Sequence, residues 1–373
     1  MTPEKVVNSF DIPGRFTGYH EIPSGNINRT YEVSFEVEED GGVRVDKYVF
    51  QRINTFVFKN PREVMSNILN VTEHIKTKLL ATEGSFDRRV LSFLTTAEGL
   101  PYVESKENGF WRAYKFVDNA RAYDLITKPY YFYEAGKAFG QFQGQLADFP
   151  ATTLYETIPD FHNTAKRLED FCVIVEKDVC GRCAEVQEEI DFILQRKNEA
   201  GTLVQLLESG EIPYRVTHND TKINNILFDE QTDRALCVID LDTVMPGASV
   251  YDFGDAVRSG ASTAAEDEED LHKVSFDLEL FRQFTKGFIE GTGGLLTNRE
   301  IELLPLGAKI LTLELASRFL ADYLDGDRYF KTTKPRHNLI RARTQIALVA
   351  DIEKKFETMQ AIVAKYHHRS IGE

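Results

Sequence analysis

The segment Val216–Phe228 has the residue types and spacing of a loop that transfers phosphoryl groups. It reads His218-x-Asp220-x-x-x-x-Asn225 and ends in a short apolar run. A loop aspartate can accept the proton of an incoming hydroxyl, and an asparagine five residues later can turn its amide oxygen toward a metal ion. We therefore predict that Asp220 is the catalytic base, that Asn225 is a metal ligand and that His218 braces the loop from behind.

A second acid, Asp240, follows at the end of a predicted buried strand. It lies 20 residues after Asp220, and a carboxylate at such a strand end can bind Mg²⁺. Asp and Asn are common in loops, so Asp220 could simply cap a turn. The order of base, amide, hairpin and second acid nevertheless favours a kinase, and we predict that Asp240 and Asn225 hold the metal.

Residues 252–254 spell Asp-Phe-Gly, the metal-binding signature of protein kinases. The segment lies 32 residues after Asp220, and no predicted strand precedes it. We therefore expect Asp252 and Asp255 to have structural roles, either in bonding the backbone of the catalytic loop or in capping the next helix.

The segment Pro23–Thr30, between the first two predicted strands, could bind phosphate. Gly25, Asn26 and Asn28 can adopt turns that aim backbone N–H groups at an anion. An ordinary hairpin turn explains the same residues equally well.

Arg52, near the end of the next strand, stands where many kinases have a phosphate-binding lysine. It either contacts the ATP phosphates or is a plain exposed strand residue. Its acidic partner on the following helix is not evident from the sequence: Glu63 and Glu73 are candidates, and Asn67 faces the same way.

A further strand ends at Lys115, Phe116 and Val117 and enters the predicted connector near residues 115–125. We expect adenine to bond to the backbone here. The alternative is that these residues only complete a core strand.

Strand patterns dominate the chain up to this connector, and helical periodicity dominates after it. The sequence therefore predicts an α+β fold with two lobes: a nucleotide-binding β-rich N-lobe at 1–117 and a helical C-lobe with the catalytic loop and acceptor site at 118–373. The predicted strands are Thr30–Val37, Arg44–Ile53, Arg89–Thr95, Phe110–Val117, Ile226–Phe228 and Ala235–Ile239, with a short one at Val216. The predicted helices are Pro61–Leu80, Tyr130–Leu146, Phe161–Val175, Ala184–Glu208, Leu278–Glu290, Arg299–Leu324 and Asn338–Lys365.

Composition narrows the class of protein. The 373 residues are 42% hydrophobic, which indicates a globular protein. They carry a formal net charge of −15, which would repel nucleic acid and anionic membranes. The N-terminus has no apolar run typical of a signal peptide, and we expect a cytoplasmic protein. Cys180 and Cys183 form a CxxC without a second ligand pair, so we do not expect a zinc site.

Two segments carry a resemblance to a known family: residues 218–228, and residues 239–247, the second of which reads Ile-Asp-Leu-Asp-Thr-Val-Met-Pro-Gly. Both resemble the aminoglycoside phosphotransferase and choline kinase superfamily, and within it the bacterial N-acetylhexosamine 1-kinases most closely. Other similar stretches are 51–54, 251–258, 260–264, 318–324, 326–330 and 337–339.

The resemblance implies a protein-kinase-like fold. It also implies ATP and Mg²⁺ as cofactors and transfer to the anomeric hydroxyl of N-acetylglucosamine or N-acetylgalactosamine. It also implies that Arg318 and Tyr329 contact the sugar, and Asp322 shares the helix face of Arg318. Two residues depart from the N-acetylhexosamine 1-kinase pattern: Asn26 stands where that pattern has a histidine, and Arg52 where it has an uncharged residue. A helix with a plain polar face would account for Arg318 and Asp322 as well.

Other acceptors remain open. Choline, homoserine, methylthioribose or an aminoglycoside would suit a kinase of this class. The acidic run Glu266–Asp270 could face a cationic acceptor, although a solvated helix start explains this run more simply.

A pseudokinase would lack part of the catalytic set, which is complete here. A protein kinase would have an Ala-Pro-Glu segment after Asp240, and none is found. The oligomeric state is not predicted.

Overall fold

The computed structural model describes residues 2–23 and 27–371. An antiparallel sheet of five strands and one helix form the first part of the chain. These elements are β1 (Arg15–Ile22), β2 (Arg29–Glu39), β3 (Gly42–Arg52), α1 (Pro61–Glu83), β4 (Val103–Ser105) and β5 (Gly109–Lys115). The strand order in the sheet is β1-β2-β3-β5-β4. Asp40 and Gly41 form the turn of the long β2–β3 hairpin, where Gly41 has a φ of 116°.

Helices make up most of the chain from Pro129 onward, which confirms the predicted α+β fold with a β-rich N-lobe and a helical C-lobe. The helices are α2 (Pro129–Gln145), α3 (Thr164–Lys177), α4 (Gln187–Leu194), α5 (Lys197–Ala200), α6 (Thr202–Glu208), α7 (Ser249–Gly260), α8 (Leu278–Thr292), α9 (Asn298–Glu302), α10 (Leu304–Leu324) and α11 (His337–Ile371). The short strands are β6 (Ala120–Arg121), β7 (Arg215–Thr217), β8 (Ile226–Asp229), β9 (Ala235–Val238) and β10 (Met245–Gly247).

Three sequence predictions of secondary structure were wrong. The segment 89–95 is not a regular strand: it follows the edge of β5 through an isolated bridge between Phe93 and Tyr114. The helix predicted over 184–208 is broken into α4, α5 and α6, with Gly201 at the last break. The helix predicted over 299–324 divides at Leu303, because Pro305 lies in the first turn of α10 and has no N–H to continue α9.

Helix α7, which the sequence analysis missed, is pressed against α10. A Cβ atom added to Gly254 would lie 2.5 Å from the carbonyl oxygen of Gly307, so only glycine allows this approach. The glycine of the Asp-Phe-Gly segment thus serves helix packing. The contact holds α7, which carries Asp252 and Asp255, beside the helix that carries Glu314 and Arg318.

No helix in the described part of the chain is long and apolar enough to cross a membrane.

Candidate active site

The predicted catalytic loop lies between β7 and β8, with Asp220 at its centre. The Asp220 carboxylate receives Lys222 Nζ at 2.7 Å and Asn225 Nδ2 at 3.2 Å. Asn225 Nδ2 also donates to the backbone oxygen of Asp220 at 2.8 Å, and its own Oδ1 has no donor among the described residues. The loop therefore holds one carboxylate in place and leaves an amide oxygen for another ligand.

His218 supports this loop from the interior, as predicted. Its buried ring is edge-on to Phe139 and Phe142, and its Nε2 bonds the backbone oxygen of Ile239 at 2.9 Å. Because Ile239 precedes Asp240, this hydrogen bond ties the loop to the strand end that carries the predicted metal ligand.

Asp240 adopts the left-handed conformation, with a φ of 59°, two residues after the end of β9. The backbone N–H of Ile239 donates to the backbone oxygen of Asn225 at 2.9 Å, which brings the two predicted metal ligands together. Desolvation in the cleft and the nearby carboxylates of Asp242 and Asp220 raise the pKa of Asp240 to about 6, and Arg112 partly offsets them. An acid crowded by other acids is the environment in which a cation would be stabilised.

Asp252 is fully buried and faces the catalytic loop. Its two carboxylate oxygens accept the backbone N–H groups of His218 at 2.9 Å and Asn219 at 2.8 Å, and Gln143 Nε2 donates to it at 2.6 Å. Asp255 accepts the backbone N–H of Thr221 at 2.8 Å. Both aspartates bond the loop backbone, which is the structural role expected for them.

An ion pair that the sequence analysis missed joins the sheet to this site. The guanidinium of Arg112 on β5 pairs with Asp242, and both side chains are almost completely buried. Gln51 Oε1 accepts two further N–H groups of Arg112, at 2.9 and 2.7 Å. Asn28 Nδ2 donates to the second oxygen of Asp242, so the predicted phosphate loop ends against the same carboxylate.

The expectation for Arg52 needs correction. Side chains alternate along a strand, and on β3 Gln51 faces Arg112 while Arg52 points to the opposite face, where its guanidinium lies against Gly109. Arg112, directly across from Gln51, is the cation that reaches the site. The structure places Gly25 and Asn26 outside the described residues, so their role stays a prediction.

The proposed acidic partners on α1 also lie elsewhere. Glu63 bonds Asn60 and Glu73 pairs with Lys76, both at the surface. Asn67 is buried instead, and its Nδ2 donates to the backbone oxygen of Val244 at 2.9 Å. Helix α1 therefore holds the segment after Asp240 through an amide.

The predicted adenine segment leaves β5 at the edge of the sheet. Lys115 is exposed and lies 3.7 Å from Asp87, and the N–H of Phe116 donates to the backbone oxygen of Lys47 at 3.1 Å. The N–H of Val117 has no hydrogen-bond partner within residues 2–23 and 27–371, so it is available to a ligand.

Arg318 is predicted to contact the acceptor, and its guanidinium lies 5.9 Å from the ring centres of both Phe161 and Tyr329. Tyr329 is 72% exposed. Arg167 lies close by: burial and the positive charge of Arg318 lower its pKa. Two guanidinium groups and two aromatic rings thus face the same region.

Asp322 lies on the same helix face as Arg318, but its oxygens are already engaged. They accept the backbone N–H groups of Arg328, Tyr329 and Phe330 at 2.8–2.9 Å, together with Asn338 Nδ2. Asp322 therefore shapes the loop that carries Tyr329, and a direct contact with an acceptor is not expected.

Comparison with known proteins identifies the family. The sequence model described as "Phosphotransferase enzyme family" matches residues 18–284. The chain belongs to this family. It is accordingly an enzyme that transfers a phosphoryl group.

Solved structures show the same fold at low sequence identity. A microcompartment-associated aminopropanol kinase has a TM-score of 0.61 at 15% identity, covering 96% of this phosphotransferase and 97% of that chain. An aminoglycoside phosphotransferase from Alicyclobacillus acidocaldarius has a TM-score of 0.57 at 14% identity, covering 100% and 97%. A spectinomycin phosphotransferase in complex with ADP and spectinomycin has a TM-score of 0.52 at 14% identity, covering 92% and 94%.

Three residues near the site escaped the sequence analysis. Arg112 and Asp242 lie 130 positions apart, and no spacing rule links them. Lys222 gave a usable signal: it stands two residues after Asp220, so the loop must bring its amine close to that carboxylate. Desolvation alone would lower the pKa of Lys222, but the negative charges of Asp220 and Asp255 outweigh it and raise that pKa.

Proposed function

We propose that this phosphotransferase uses ATP and Mg²⁺ to phosphorylate an N-acetylhexosamine, N-acetylglucosamine or N-acetylgalactosamine, at its anomeric hydroxyl. The observation that carries the proposal is the charge of the acceptor side. Arg318 and Arg167 face it, and the neighbouring carboxylates of Glu314 and Asp322 are buried and fully hydrogen-bonded. Guanidinium groups and aromatic rings suit a neutral sugar, which offers hydroxyl and acetamido oxygens.

The same charges disfavour a cationic acceptor such as choline. The acidic run 266–270, the best candidate for binding one, is neutralised in the fold. Lys334 contacts Asp267 and Glu269, His337 contacts Asp267, and Arg258 and Arg341 lie near Glu266. An ammonium group would therefore meet two like charges at the proposed acceptor side, beside carboxylates that already have partners, which raises its binding free energy.

The side chains present fit a magnesium ion shared with nucleotide. Among the described residues, no group of three or more His, Cys, Asp or Glu side chains could hold a metal on its own. Mg²⁺ commonly takes one or two protein oxygens and completes its shell with phosphates and water. Asp240 and Asn225 supply such oxygens, and the bound ion would neutralise charge on the transferring phosphoryl group.

The chain's own residues account for the remaining steps. Asp220 accepts the proton of the anomeric hydroxyl as the hydroxyl oxygen attacks the γ-phosphorus, and the bond from that phosphorus to the oxygen bridging it to the β-phosphate breaks, so that ADP leaves. Lys222 and Asn225 orient that carboxylate, and the Lys222 ammonium lies where charge on the γ-phosphate can meet it. Arg112 holds Asp242 beside Asp240, and the free N–H of Val117 gives adenine a backbone donor.

A screen for ADP release tests the proposal, with N-acetylglucosamine, N-acetylgalactosamine, glucose, choline, an amino alcohol and an aminoglycoside as acceptors. We expect kcat/KM for an N-acetylhexosamine to exceed that for glucose by roughly 10-fold or more, because glucose leaves buried donors unpaired. Phosphorus NMR then locates the phosphate, since an anomeric phosphate couples to the anomeric proton.

The variant Arg318→Ala should raise the KM for the sugar far more than the KM for ATP. Arg343→Ala is the matched control, because Arg343 is a half-exposed arginine of α11 that pairs with Glu189 of α4. Phosphorylation at O6, or a preference for choline over both hexosamines, would overturn the sugar assignment and leave the phosphotransferase assignment intact.

A further inference from the structure

A buried histidine outside the catalytic motif connects the acceptor side to the catalytic loop. His162 lies just before α3 and is 8% exposed. Its Nδ1 is 3.0 Å from Glu314 Oε1, and its Nε2 is 3.3 Å from the backbone oxygen of Asn219. Asn219 is the residue immediately before Asp220, so the ring touches the peptide that carries the predicted base.

Both partners of the ring are hydrogen-bond acceptors. A carboxylate and a carbonyl can each only receive a proton, so both contacts are satisfied together when both ring nitrogens carry hydrogen. The pKa of Glu314 fits this arrangement: burial alone would raise it, but His162, Arg318 and the hydroxyl of Thr164 lower it, so the carboxylate is the ionised partner.

The peptide that His162 holds is in an unusual conformation. Asn219 has a φ of 66°, in the left-handed region that non-glycine residues adopt at a cost of order 1–3 kcal/mol when surrounding contacts fix them there. Asp252 holds its N–H, Thr243 receives its side chain at 2.8 Å, and His162 holds its carbonyl oxygen. Only the last contact comes from the acceptor side of the site.

Glu314 continues the connection outward. Its Oε1, which binds His162, is also 3.9 Å from Arg318 Nη1, and the ring of Phe161, the neighbour of His162, lies under the Arg318 guanidinium. A group that binds Arg318 therefore acts on a carboxylate shared with His162.

We infer that His162 is a positioning residue for phosphoryl transfer: it fixes the Asn219–Asp220 peptide and links the position of Asp220 to the Arg318 side of the acceptor pocket. The link to Arg318 rests on the proposed function, whereas the hold on Asn219 does not. An error of about 1 Å in the position of a catalytic group can cost about 100-fold in rate.

Two isosteric variants separate the contacts. In His162→Gln the amide nitrogen can take the place of Nε2 and keep the bond to Asn219, but Glu314 loses its contact with residue 162 while keeping those with Thr164 and Arg318. In His162→Asn the amide nitrogen can take the place of Nδ1 and keep the bond to Glu314, but Asn219 loses its partner. Both variants lose the aromatic ring, so a role of the ring in packing alone would affect both of them.

The experiment measures kcat for transfer to the best acceptor of the screen, kcat for ATP hydrolysis without acceptor, and melting temperatures. We expect His162→Gln to keep kcat within about 5-fold of the wild type, and His162→Asn to lose roughly 10- to 100-fold in both reactions, with the KM for ATP unchanged. Melting temperatures of the two should agree within a few degrees.

Equal kcat for the two variants, or a higher kcat for His162→Asn, would overturn the inference. Because ATP hydrolysis also depends on the position of Asp220, the comparison decides the matter even if no hexosamine is phosphorylated. Failure of the sugar proposal would show in the wild-type screen, and failure of the positioning role would show in the order of the variants.

Discussion

Removing the Asp252 carboxylate should destabilise the protein and leave its metal dependence intact. In Asp252→Ala the backbone N–H groups of His218 and Asn219 lose their acceptor inside the protein, whereas Gln143 Nε2 keeps its bond to the backbone oxygen of Val216. An unsatisfied buried donor costs about 1–3 kcal/mol, so the two backbone groups together cost about 2–6 kcal/mol. Burial raises the pKa of Asp252, which means that its charge is itself costly, and removing it returns part of this loss. We therefore expect a net loss of about 2–4 kcal/mol in the free energy of unfolding.

Urea denaturation of the metal-free protein, followed by circular dichroism, measures this loss. Asp170→Ala is the control, because its carboxylate pairs with Lys166 at the surface and its removal should change the free energy of unfolding by less than about 0.5 kcal/mol. Folded Asp252→Ala should have a lower kcat but the wild-type dependence on Mg²⁺ concentration. A variant that unfolds at the wild-type urea concentration and needs more Mg²⁺ would show that Asp252, and not Asp240, holds the metal.

Three further outcomes follow from the site. Because the pKa of Asp240 is raised to about 6, protons compete with Mg²⁺ for this carboxylate below that pH. Calorimetric titration in the presence of ADP should show the apparent affinity for Mg²⁺ falling about 10-fold per pH unit below 6 and levelling off above 7. A constant affinity from pH 5 to 8 would contradict the assignment of Asp240 as a metal ligand. Lys222→Met should lower kcat by about 100-fold with little change in ATP binding measured by fluorescence, whereas unchanged turnover would remove Lys222 from the reaction. Arg112→Met should cost about 3–5 kcal/mol in urea denaturation, because it leaves Asp242 buried without its partner; a stability equal to the wild type would show that water replaces the arginine.

The sequence predicted what short-range spacing determines. Asp220, Asn225 and His218 lie within eight residues, and one loop between two strands brings them together, so their spacing was enough to predict that they are neighbours. Asp240 followed from the apolar strand before it. The structural role of Asp252 was also anticipated, because no strand leads into that segment.

Long-range partners could not be read from the chain. The pairs Arg112–Asp242 and His162–Glu314 span 130 and 152 residues, and only the packed fold brings each pair together. Arg52 was placed wrongly because the face on which a strand residue lies depends on register, and a shift of one residue reverses it. The sequence could not tell Gln51 from Arg52 in this respect.

The most direct test of the account is the turnover of Asp220→Asn with the best acceptor, measured by ADP release, beside its dissociation constant for ATP. The amide of asparagine has nearly the shape of the aspartate carboxylate but cannot act as a base that takes the proton of the acceptor hydroxyl. We predict that kcat falls by about 100-fold or more and that ATP binding is nearly unchanged. A variant that keeps a third of the wild-type kcat would contradict the assignment of Asp220 as the base, and with it the mechanism proposed here.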